Sequence, residues 1–187
     1  ISIAYSVQNG EKLNNLPQGW TLLCQSEGGF WDYHYKAAAF INKTTKEIII
    51  ANAGTKPADA CDLIDDVRLI LGYAPYKMSS IKDFFGKVES SIKKDDKAGE
   101  IKDYKISTAG HSLGAVLADL TILEAQSKGL SIGSSTTFEN PGSLFAVKYV
   151  KDNNLFSGNT NEQNIKFCVY DAKPNPIFSS SPTRTVI

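Results

Sequence analysis

The segment Gly110-His111-Ser112-Leu113-Gly114 restricts what this chain can fold into more than any other stretch. Tyr104 to Thr108, just before it, is patterned as a short strand. After it, Leu113, Val116, Leu117, Leu120 and Leu123 recur at the spacing of an amphipathic helix that closes near Gly129. A sharp strand-to-helix turn brings its own backbone into close approach, which leaves no room for side chains two places before and two places after the central serine. Gly110 and Gly114 occupy those places. The same five residues could also be an ordinary glycine-bounded turn whose serine only caps the helix.

The rest of the chain supplies the setting for such a turn. Trp20 to Gln25 and His34 to Ile41 read as strands, and 42–46 turns the chain into the β-branched run Glu47 to Asn52. Ala53-Gly54-Thr55 breaks that strand, and Pro57 to Leu71 resumes at helical spacing through Leu63, Val67 and Leu71. A second helix is expected from Ser80, with Ser79 or Ser80 as its N-cap and Ile81, Phe84, Phe85, Val88 and Ile92 on one face. Ser134 to Phe138 and Ile165 to Tyr170 are further strands, with a short helix at Leu144 to Tyr149 between them. Strands alternating with helices predict an α/β fold with a largely parallel sheet flanked by helices.

With 187 residues, 42% of them hydrophobic, the chain is read as one domain over 1–187, expected to be truncated at its C-terminus. Lys plus Arg equals Asp plus Glu at 20 each, so no net field draws the chain to nucleic acid. Cys24, Cys61 and Cys168 have no metal-site spacing and read as structural thiols. Asp62, Asp65 and Asp66 read as a solvated helix face. No metal and no cofactor is expected, and the compartment stays open.

A serine hydroxyl attacks an ester only when a base takes its proton, and the attack creates an oxyanion that needs preorganised donors. Four pieces stand in order for that chemistry: the strand ending Ala53-Gly54-Thr55, the turn Gly110-His111-Ser112-Leu113-Gly114-Ala115, the run Phe138-Glu139-Asn140-Pro141-Gly142-Ser143, and Val169-Tyr170-Asp171. On these pieces the chain resembles the class 3 lipases, triglyceride lipase-like α/β-hydrolases, over about Tyr33 to Pro176. The resemblance implies an α/β-hydrolase fold with Ser112 as nucleophile in an elbow of Gly110, His111 and Gly114. It implies an oxyanion hole of Leu113 and Thr55, and Asp171 as the acid. On chemistry alone Thr55 serves equally well as a cap. The alternative for Asp171 is an Asp that opens the turn at Lys173-Pro174-Asn175-Pro176, and the elbow upstream favours the acid. Glu139 is the reserve acid. Lys56 to Tyr76 follows the position of the family's lid. A lipid or small ester substrate is implied, with transient contact to a membrane surface.

The family's order is Ser, Asp, His, yet both histidines of this chain, His34 and His111, precede Ser112. Three readings follow. The base lies beyond Ile187, His34 is recruited, or the scaffold has no base and serves as a lipase-like binding module. The first is the expectation here, with a serine carboxylic ester hydrolase acting on acyl lipids as the function.

Overall fold

The computed structural model describes residues 16–26, 35–54, 63–95, 99–170 and 185–186, the side chains of 63–73 and 185–186 excepted. The strands β1 (Thr21–Gln25), β2 (Ala37–Asn42) and β3 (Glu47–Asn52) form an antiparallel meander. The β2–β3 turn is tight because Asn42 Oδ1 accepts the amides of Thr44 and Thr45, and Lys46 closes it at φ 55°. There follow α1 (Leu63–Asp95), β4 (Lys105–His111), α2 (Leu113–Ser127), β5 (Ile132–Phe138), α3 (Leu144–Asp152), β6 (Lys166–Tyr170) and the two-residue β7 (Thr185–Val186).

Among the described residues seven strands lie side by side in chain order, and every pairing from β3 onwards is parallel. Parallel crossovers are right-handed, so connections that step the same way across a sheet place their helices on one face. Consistent with this, α1, α2 and α3 touch one another. Ile48, Ile50, Ile106, Ile81, Phe85, Val88, Leu120 and Ile122 fill the core between sheet and helices. The architecture is α/β, a mostly parallel sheet flanked by helices.

Two expectations need correction. The helix expected to start at Ser80 is the second part of one helix that runs through Ser79, and Ser80 is a buried mid-helix residue, not a cap. Pro75 lies inside that helix, where it removes one backbone hydrogen bond. Its ring faces solvent while Ala74 and Met78 are buried beside it, so the packed stripe carries the helix past the proline. The second correction concerns α2, expected to be amphipathic. Every residue from Leu113 to Ala125 is buried, Asp119, Thr121 and Glu124 included. The expected strand start at His34 lies outside the described residues, and β2 begins at Ala37.

Candidate active site

Adjacent parallel strands end level with one another: Asn52 is paired with Gly110, His111 with Phe138, and Phe138 with Tyr170. Ala53-Gly54 therefore leaves the sheet beside Ser112, and Ser112 beside Glu139. The carboxyl edge of a parallel sheet is where α/β folds collect their ligands. Strand β6 reaches the same edge at Tyr170, the residue before Asp171.

Ser112 stands between β4 and α2 with φ 55° and ψ −130°, a conformation that strains any residue with a side chain. Its side chain makes no capping hydrogen bond to the helix, so the ordinary cap reading fails. The backbone is pinned on both sides: Ser112 N donates to Phe138 O at 3.0 Å, and Ser112 O accepts from Ala115 N at 2.8 Å. A Cβ on Gly110 would fall 2.1 Å from Gly114 O, and one on Gly114 would fall 2.4 Å from Asn52 O. Both glycines are thus required by sterics, Gly110 by the turn's own backbone and Gly114 by the end of β3.

Gly54 brings in the third strand. A Cβ there would meet His111 O at 2.6 Å and lie 3.4 Å from Leu113 N, so the end of β3 is pressed against the elbow at the amide proposed as an oxyanion donor. Leu113 opens α2, whose first amides carry the partial positive charge of a 15-residue helix. Thr55, Asp171 and His34 lie outside the described residues. So do Cys61 and the side chains of Asp62, Asp65 and Asp66. His111 is the last residue of β4 and half-buried, and Glu139 is exposed just past β5.

Behind this edge the structure holds polar clusters that the sequence did not announce. Asp119, 1% exposed, accepts from Ser135 Oγ at 2.6 Å, from Asn140 Nδ2 at 3.1 Å and from Ser143 Oγ. Burial pushes its carboxyl up to about 6, although the three hydrogen bonds pull the other way. Tyr35 OH donates to Asn52 Oδ1 at 2.9 Å, and Thr121 Oγ1 stands 3.3 Å from the same oxygen, which fixes the end of β3 to α2. Burial raises the Tyr35 phenol. Glu124, fully buried, accepts from Ser157 N at 3.1 Å and from Ser157 Oγ. The nearest sequence signal was polar residues spaced within a helix otherwise apolar, but their partners come from strands and loops far along the chain.

An apolar rim borders the same edge. The rings of Phe138 and Tyr170 stack at 5.1 Å, and Leu144 and Phe145 at the start of α3 are 40% and 65% exposed. Among the described residues no cluster of His, Cys, Asp and Glu could hold a metal ion, and no helix is long and apolar enough to cross a membrane.

No family model matches this chain. Over 149 residues, 78% of its length, the chain is 45% identical to a protein of Rickettsia prowazekii (strain Madrid E) described as uncharacterized protein RP165, and it spans 39% of that protein's length.

Proposed function

We propose that this chain is a serine carboxylic ester hydrolase of the α/β-hydrolase type, related to the class 3 lipases, which acts on acyl lipids through an acyl-enzyme on Ser112. The observation that carries the reading is the strained Ser112 at φ 55°, uncapped by its own side chain and seated in a turn that tolerates only glycine at 110 and 114. In the proposed reaction Ser112 Oγ forms a bond to the ester carbonyl carbon as its proton passes to a base. The carbonyl π electrons move to oxygen, and the oxyanion is held by the Leu113 amide and by Thr55. Collapse expels the alcohol, which takes up a proton from the protonated base. Water then attacks the acyl-enzyme by the same route and frees the acid. Asp171 would orient the base and stabilise its charged form. The apolar rim of Phe138, Tyr170, Leu144 and Phe145 suits an acyl chain.

The test is fluorophosphonate labelling of the native-length protein with Ser112→Ala as control. Labelling that vanishes in Ser112→Ala supports an activated serine. A folded wild-type protein that stays unlabelled overturns the proposal and favours the second reading, a lipase-like binding module. That reading is motivated by the position of both histidines before Ser112.

A further inference from the structure

The corner between β5 and α3 is held in an unusual shape. Glu139 adopts φ 48° and Gly142 φ 104°, with the buried Asn140 and Pro141 between them. A non-glycine residue in the left-handed region persists only where its surroundings over-determine it. Here the ties are visible. Glu139 N donates to Tyr170 O at 2.9 Å, Gly142 N donates to Asn140 Oδ1 at 2.9 Å, and Asn140 Nδ2 and Ser143 Oγ both donate to Asp119. Ser143 precedes α3 and makes no capping bond to it, its hydroxyl donating a hydrogen bond to the Asp119 carboxylate instead.

Asp119 lies two turns along α2 from Ser112, on the helix that the elbow begins. The residue before the corner, Phe138, accepts the Ser112 amide. The corner is therefore joined to the elbow twice, once through the Phe138 carbonyl and once through Asp119 and the body of the helix. We propose that Asp119 is a positioning residue: its carboxylate ties the 139–143 corner to the nucleophile-bearing helix and sets where that corner, with Glu139 and the apolar start of α3, stands against Ser112. The inference rests on the reading of Ser112 as a nucleophile. A carboxylate suits the task because it offers only acceptors, and all three donors aimed at it come from other elements.

A merely structural cluster and a positioning one are separated by cutting its ties singly. Ser143→Ala removes one of the corner's two bonds to Asp119, and Ser135→Ala removes the strand's bond to the same carboxylate. In the native-length protein, amide hydrogen exchange over 138–143 and the rate of fluorophosphonate labelling at Ser112 are read for each. Ser143→Ala is expected to speed exchange in the corner and to slow labelling about tenfold, the loss expected for a hydrogen bond to a charged group. Ser135→Ala is expected to keep labelling within about twofold of wild type while lowering stability. Asp119→Leu should share the labelling loss, and Asp119→Asn, which keeps the shape and one acceptor oxygen, should recover most of it. Equal slowing in Ser143→Ala and Ser135→Ala overturns the proposal, as does a corner that opens while labelling stays unchanged. Failure of the wild-type protein to label is a different result, seen before any variant is compared, and it removes the nucleophile reading itself.

Discussion

At Gly110 the absence of one carbon atom decides whether the turn can exist. A methyl group there would sit 2.1 Å from Gly114 O and 2.7 Å from Ala115 N, both backbone atoms of the first turn of a buried helix. Neither can move without displacing α2 from the sheet. Gly110→Ala should therefore cost about 3 kcal/mol or more, the upper range for overpacking a core, read as a lowered urea midpoint, and should abolish labelling of Ser112. An unchanged midpoint would mean that the elbow relaxes freely and is not the strained turn described. The need for glycine at 110 was legible in the sequence because that clash lies within a few residues of chain. The spacing also pointed to glycine at 114, but the atom that demands it there is Asn52 O on another strand. The role of Gly54 was not legible, since it is pressed against His111 O and Leu113 N from another strand.

Among the elements, α1 shows how far periodicity reaches. Ala74, Met78, Ile81, Phe85, Val88 and Ile92 are all buried and fall at alternating steps of four and three, an unbroken helical stripe that crosses the Ser79-Ser80 pair. The serines suggested a boundary and Pro75 removes one backbone hydrogen bond, but burial of the stripe outweighs that loss. Gly86 lies on the exposed side of the same helix with nothing within 4 Å of a Cβ built on it. Gly86→Ala should raise stability by about 0.5–1 kcal/mol, as a higher thermal midpoint with labelling unchanged. A fall in stability would show an uncharted neighbour on that face. In α2 the reasoning from periodicity stops short, because a helix covered on every side leaves no polar stripe to read. Its Asp119 and Glu124 look like surface residues until Ser135, Asn140, Ser143 and Ser157 are brought to them.

For the molecule as a whole, Asp119 couples helix, strand and corner to pH. Its carboxyl, ordinarily at 3.8, is raised to about 6 in the fold, chiefly by burial, so the folded state holds the proton more tightly than the unfolded chain does. The stability that this proton contributes is fully present below the unfolded value and is lost as pH rises through the folded one, a swing of about 3 kcal/mol. Asp119→Asn cannot titrate. Its stability relative to wild type should therefore climb by about that amount between about pH 3 and about pH 7, measured by urea unfolding. A difference that stays flat with pH would show that Asp119 keeps an ordinary carboxylate pKa when buried.

The amino-acid sequence by itself determined the order of β1 to β6 with α2 and α3 among them, the largely parallel character of the sheet and the glycine-bounded turn at Ser112. Each of these rests on periodicity or sterics among neighbours in the chain. Only the tertiary structure decided that Ser112 carries the strained backbone without capping its helix, that Gly54 abuts the elbow, and that a buried aspartate holds the corner beside it. Those features depend on strand register and on hydrogen bonds between residues far apart in the chain, and such pairings exist only once the sheet has brought them together.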